Sequence, residues 1–390
     1  MAYLIRDQKK NEMIAGEEGP LSMEAHLKLD KFLKQIVEGT PRKVFSKNEI
    51  VKTDIRIGHI DGKPVKRLVI HLRSNGCAWK KSGGCTMCGF WNETSQQRDT
   101  VKADDFISQF QGALGTLNLS QYPILSIYNA GSAFNEEEIP FGALESMFRT
   151  ISEIPTMRQI ILESRIEYVT KDKVRQLKNI INGKDLIIGA GLESSNDTIR
   201  ELCIHKGLPK KRFEQYIEMS KSLGMNSRIY VLIKPPFLTE GEAIEDVVGT
   251  TKYLCDLGVR DIHYETTTIE DNTLVRVLFN KRLYQLPWLW SIVEIINRVS
   301  SFANPFLSPF RYIVDARGVA HNCALCDDKV TRALLEDYSS SFDLSGIKSL
   351  DCSCKSRWLE AIAEPADYPL EERVLKILSG LSQEDIKSRN

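Results

Sequence analysis

The chain has 390 residues, enough to bury one barrel-sized core and an appendage. Lys plus Arg equals Asp plus Glu at 52 each, so the net charge is zero and bulk electrostatics give no support for nucleic-acid binding, leaving only a local patch for that role. Seven of the nine cysteines gather in short clusters, which suits metal ligation in a reducing compartment better than a secreted disulfide framework. No apolar run approaches the ~20 residues that span a bilayer, and the N-terminus lacks a signal-peptide pattern. The expectation is a soluble, cytoplasmic protein with no membrane partner.

In chain order, Met23–Glu38 carries apolar residues near helical spacing and ends at Gly39, so a helix is expected there. Residues 40–64 read as an extended lead-in with a turn at Asp61-Gly62, closing an N-terminal extension of residues 1–64. Strand candidates then fall at 66–73, 123–129, 158–164, 185–191, 227–234 and 261–268. Helical patterns lie between them at 103–116, 140–152, 171–182, 195–203, 210–223 and 240–257. Six βα units argue for a parallel sheet in residues 65–283, with functional groups at the C-terminal strand ends. A partial (β/α)6 barrel and a doubly wound sheet share this pattern. Residues 284–390 form a C-terminal region: an apolar helix around Leu286–Ile296, a strand at Tyr312–Asp315, a cysteine-rich stretch and a polar helix after 365.

The densest chemistry is Cys77-Ala-Trp-Lys-Lys-Ser-Gly-Gly-Cys85-Thr-Met-Cys88-Gly-Phe90, a C-x7-C-x2-C loop after the first strand. Thiolates so close in sequence converge on one centre, zinc or an iron–sulfur cluster. No fourth ligand follows nearby. Three thiolates on a four-iron, four-sulfur (4Fe-4S) cluster leave one iron open, and that vacancy suits S-adenosyl-L-methionine. Phe90 shields the cluster, flanks an adenine, or simply packs.

Later strand ends add polar groups. Asn129, Gly131 and Ser132 close the second strand, where such a loop can hold the ends of a bound amino acid. Glu163-Ser-Arg165 ends the third; a carboxylate holds a ribose hydroxyl and an arginine clamps a carboxylate, or the two form a surface ion pair. Gly191 and Glu193 end the fourth. Lys234, followed by Pro235-Pro236, is placed at the barrel mouth, and Glu265 ends the sixth strand. Both are substrate-side candidates for catalysis. Near the C-terminus, Cys323-x2-Cys326 and Cys352-x-Cys354 supply four thiolates for structural zinc or for an auxiliary 4Fe-4S cluster, with His321 as a spare ligand.

This constellation resembles the radical S-adenosylmethionine superfamily, and within it the archaeosine synthase radical subunits, relatives of the elongator catalytic subunit. The matching pieces are Gly76-Cys-Ala-Trp with Gly84-Cys-Thr-Met-Cys-Gly, Gly131-Ser132, Glu163-Ser-Arg165 and Gly191-Leu-Glu193. They continue through His205-Lys-Gly207, Tyr230-Val-Leu-Ile-Lys-Pro-Pro-Phe-Leu-Thr-Glu240 and His321-Asn-Cys. The resemblance implies a partial TIM-like barrel and reductive cleavage of S-adenosylmethionine to a deoxyadenosyl radical that abstracts hydrogen from substrate. It implies C–N bond cleavage of a lysine-modified 7-deazaguanine in tRNA, a lysine-transferase partner subunit, and a reductase or ferredoxin as electron donor. Two other functions stay open: radical modification of a small amino-acid-like metabolite, and a non-catalytic zinc-binding RNA scaffold.

Overall fold

In the computed structural model, the described residues are 2–6, 13–17, 20–41, 43–94, 100–310 and 316–387. One curled sheet of eight strands forms a half-barrel, with its strands side by side in chain order. They are β1 (Lys52–Ile60), β2 (Lys63–His71), β3 (Ile124–Tyr128), β4 (Gln159–Glu163), β5 (Asp185–Glu193), β6 (Asn226–Ile233), β7 (Asp261–Thr266) and β8 (Phe306–Leu307). β1 and β2 pair antiparallel; every later pair is parallel. The six expected parallel strands are present, with α-helices at five of the six expected helical segments. The lead-in forms a strand, because Asp61-Gly62 turns the chain and Lys52–Ile60 pairs residue by residue with Lys63–His71.

Side chains alternate across these strands. Leu68, Ile70, Leu125, Ile127, Ile160, Leu162, Ile188, Ile229, Val231 and Ile262 face outward into the main core. Helices Ala103–Gly115, Phe141–Ser152, Lys171–Ile181, Lys210–Ser222 and Glu240–Asp256 cover that face. The last begins at Thr239, whose hydroxyl and the Glu242 carboxylate form a capping box. The alternate residues are largely polar and line the concave side: Arg67, His71, Tyr128, Glu163, Tyr230, His263 and Glu265.

One departure from the expected elements bears on the site. The segment expected to be an ordinary helix over 195–203 is a π-helical turn, Ile199–Ile204, ending in a left-handed His205. The N-terminal helix Pro20–Glu38 packs Leu29, Leu33 and Ile36 on this turn and on Val374 and Leu378 of the tail helix Leu370–Ser379. Helix Leu289–Val299 buries Trp290, and Cys326, Cys354 and Trp358 join the same core as the strands. The strand expected at 312–315 lies outside the described residues. No helix is long and apolar enough to cross a membrane among the described residues.

Candidate active site

At the C-terminal strand ends, a cavity of about 260 Å3 collects Cys77, Cys85, Cys88, Phe90, Gly131, Ser132, Glu163, Arg165, Gly191, Glu193 and Glu265. The cysteine loop is held from three directions. Glu138, fully buried, accepts Ala78 N–H at 2.9 Å through one oxygen and Ser132 N–H at 2.5 Å through the other. That carboxylate ties the cysteine loop to the loop after β3. It also explains Gly131, where an added Cβ would lie 2.0 Å from Glu138. From the opposite side, Glu270 accepts Gly89 N–H at 2.6 Å. Burial pushes its carboxyl up to about 7.

The third support is the π-helical turn. A π-turn carries an extra residue and frees carbonyls from the helical ladder. Here Cys203 carbonyl accepts the Thr86 hydroxyl at 2.7 Å, Ile204 carbonyl accepts Thr86 N–H at 3.0 Å, and His205 carbonyl accepts the Trp79 indole N–H at 2.9 Å. The His205 ring stacks on Trp79 and its Nδ1 lies 2.8 Å from Gly84 carbonyl. Gly207, at φ +59°, admits the Trp79 ring; a Cβ there would sit 2.5 Å from it. Arg165 donates to the Lys206 and Gly207 carbonyls at 2.9 and 3.3 Å, with its guanidinium 4.9 Å from the Trp79 ring centre.

The three thiols suit an anionic multi-iron group. No side chain hydrogen-bonds to their sulfurs among the described residues, and they do not form a set of ligand atoms all within 4.8 Å of one another. Burial pushes Cys77 up to about 11 and Cys88 up to about 12. Cys85 is also raised by burial, against the opposing fields of Lys206, Arg165 and Lys80. Those cations offset negative charge when the thiols bind as thiolates. Burial would lower Lys206, yet Glu193 at 2.8 Å and nearby Cys85 hold it charged.

Two expected residues stand elsewhere. Asn129 does not line the cavity; its amide is buried beneath Gly131 with no hydrogen-bond partner among the described residues. Lys234 also does not line it. Alternation along β6 would aim Lys234 inward after Arg228, Tyr230 and Leu232, but its left-handed φ of +55° breaks the alternation. Its Nζ pairs instead with Glu240 at 2.5 Å. The mouth position expected for Lys234 is therefore corrected.

Several lining residues were not singled out from sequence. Trp79, Lys80 and Lys206 lie inside quoted motifs, and Glu270 follows the sixth strand. Glu138 had only a faint signal, a carboxylate six residues past Ser132. The concave His71, Tyr128, Tyr230 and His263 had a usable one: polar residues at alternate positions of otherwise apolar strands. Glu163 accepts the Tyr230 hydroxyl at 2.6 Å, and Glu265 accepts the Ser308 hydroxyl.

The C-terminal cysteines converge separately. Cys323, Cys326, Cys352 and Cys354 offer sulfurs all within 4.8 Å, with neighbouring sulfurs 3.6–3.7 Å apart. Trp290 donates its indole N–H to Cys354 Sγ at 3.3 Å. His321 is not part of this group; its Nδ1 lies 3.1 Å from Val319 carbonyl.

No family model matches the chain. It is 31% identical over 349 residues to an uncharacterized protein of Methanocaldococcus jannaschii, covering 84% of this chain and 91% of that one. It is 30% identical over 306 residues to archaeosine synthase subunit beta of Methanosarcina acetivorans, covering 78% of this chain and 87% of the relative. Among solved structures, the archaeal Elp3 of Methanocaldococcus infernus superposes with a TM-score of 0.46 at 12% identity, over 64% of this chain and 60% of that one.

Proposed function

This chain belongs to the archaeosine synthase subunit beta family of radical S-adenosylmethionine enzymes, and from that premise we propose that it cleaves a C–N bond in a lysine-bearing 7-deazaguanine of tRNA, leaving the amidine. The observation that carries this reading is one cavity joining three half-buried thiols to the polar ends of β3, β4 and β5, in a chain that aligns with that relative over most of its length.

Cys77, Cys85 and Cys88 would hold the 4Fe-4S cluster. When bound, the cluster and S-adenosylmethionine, given one electron by a ferredoxin or reductase, supply a carbon radical that takes one hydrogen atom from substrate. The protein's share is orientation and exclusion of water. Gly131 and Ser132 present backbone at the cavity wall, steadied by Glu138. Glu163, Arg165, Gly191, Glu193 and Phe90 are the proposed contacts to the cofactor. Glu265, on the concave side, faces the substrate. A partner subunit that attaches the lysine would act before this chain.

Zinc is the proposed occupant of the C-terminal cysteines. A tetrahedral zinc with bonds of about 2.3 Å sets its sulfurs about 3.8 Å apart. The observed 3.6–3.7 Å fits that ion, whereas thiolates on four different irons must stand wider.

The test is anaerobic incubation of the reduced, reconstituted protein with S-adenosylmethionine and lysine-bearing tRNA, followed by nucleoside digestion. Appearance of the amidine nucleoside with deoxyadenosine supports the reading; unchanged tRNA beside a competent cluster rejects it. One observation favours a second reading, modification of a small amino-acid-derived metabolite: the net charge is zero. A tRNA enzyme should bind RNA in a salt-sensitive way; absence of such binding would select the metabolite.

A further inference from the structure

Arg67 is the anomaly of the half-barrel. It lies on β2 facing the concave side, 6% exposed, and lines both the active-site cavity and a second cavity that opens at the N-terminal strand ends. Two other arginines share this interior and each has a carboxylate: Arg56 with Asp54 at 3.0 Å and Arg228 with Asp261 at 3.1 Å. Arg67 has neither an ion pair nor a hydrogen bond to its Nε among the described residues. A buried N–H without an acceptor is costly, and a guanidinium with no carboxylate of its own is free to receive one from the cavity. The surroundings make room for its stem. Across the β1–β2 pairing stands Gly58, where a Cβ would press on Arg67 Cβ at 3.3 Å and on Ile124 at 2.6 Å.

We propose that Arg67 receives the carboxylate of an amino-acid terminus on the substrate, so that this residue sets specificity for a free α-carboxylate. The arginine fork matches a carboxylate in two-point geometry. A phosphate fits less well, because Glu163 and Glu265 line the same cavity and repel a dianion. A zwitterionic terminus satisfies both signs: carboxylate on Arg67, ammonium toward Glu265, the carboxylate already placed on the substrate side. The cysteines lie at the mouth and Arg67 at the floor, so an extended aliphatic chain anchored at its α-end presents its distal carbons toward the cluster. The inference rests on the proposed function only in treating this cavity as the substrate chamber.

The test uses the reconstituted full-length protein and two probes, L-lysine and L-lysinamide, titrated by calorimetry. Wild type is expected to bind L-lysine about tenfold more tightly than the amide, the value of one charge-assisted contact. Arg67→Gln should bind both equally and weakly, with Arg67→Lys intermediate, while melting temperature and bound iron verify that the variants are folded and loaded. Wild type indifferent to the amide, or an Arg67→Gln protein that keeps the preference, overturns the inference. If wild type discriminates but leaves lysine-bearing tRNA unchanged, the tRNA reading fails and this one stands. If both proteins convert that tRNA with equal KM, this inference fails and the tRNA reading stands.

Discussion

Glu138 reaches across sixty residues of sequence to accept the backbone N–H of Ala78 at 2.9 Å, the residue directly after Cys77. Its second oxygen takes Ser132, so one buried carboxylate fixes the distance between the proposed cluster loop and the proposed cofactor loop. Glu138→Gln replaces one acceptor with a donor that faces a backbone N–H. The loss should be about 2 kcal/mol of stability. Iron retained after reconstitution should fall below half of wild type. Calorimetric melting and iron analysis check both; full iron at unchanged stability would show that the carboxylate is dispensable.

Gly207→Ala should be disproportionately damaging for so small a change. It adds a Cβ 2.5 Å from the Trp79 ring at a left-handed position. Displacing Trp79 also disturbs Arg165 and the His205 carbonyl. The expected outcome is an altered tryptophan near-ultraviolet dichroism and a drop of about tenfold or more in deoxyadenosine formation.

Asp246 gives a pH dependence with a definite sign. It sits on helix Glu240–Asp256, accepts the Ser194 hydroxyl at 2.6 Å, and leaves its other oxygen buried without a partner among the described residues. Burial pushes its carboxyl up to about 7. The folded state therefore holds this proton when the unfolded chain has released it. Its contribution is fully present below the unfolded value near pH 4, shrinks as pH rises, and is lost above about 7. Asp246→Asn should remove this dependence and be the more stable protein at pH 8.5, by on the order of 2 kcal/mol. Urea midpoints of both proteins at pH 5.5 and 8.5 test it, since other groups cancel in the difference.

The two cysteine sites should separate by metal. Alanine at Cys77, Cys85 and Cys88 together should abolish iron and leave about one zinc per chain. Cys326→Ser should lose zinc and lower the melting temperature, because Cys326 and Cys354 share the main core. Iron retained by the triple variant would place a cluster at the C-terminal cysteines instead.

Much of the architecture was legible because the outward strand residues are apolar and the intervening helices carry helical spacing. Leu68, Ile70, Leu125 and Ile127 made β2 and β3 visible in that way. β1 was read only as extended chain, although Ile55 and Ile57 alternate with its concave-facing Asp54 and Arg56. The π-helical turn was invisible. Ile199–Ile204 has ordinary helical composition, and its extra residue goes with the tertiary partner of its Cys203 and Ile204 carbonyls, Thr86, which lies far away in sequence. Cys77, Cys85 and Cys88 were plain from spacing, and they do line one cavity. Lys234 misled because a side chain's direction at a strand end depends on one φ angle that composition does not reveal.

The proposed hydrogen abstraction is tested most directly by isotope. Lysine-bearing tRNA, deuterated along the lysine side chain, is turned over with S-adenosylmethionine, and the deoxyadenosine is weighed by mass spectrometry. The account predicts deoxyadenosine carrying one deuterium, formed in step with the amidine nucleoside. Deoxyadenosine without deuterium, formed while the tRNA stays unchanged, would contradict it.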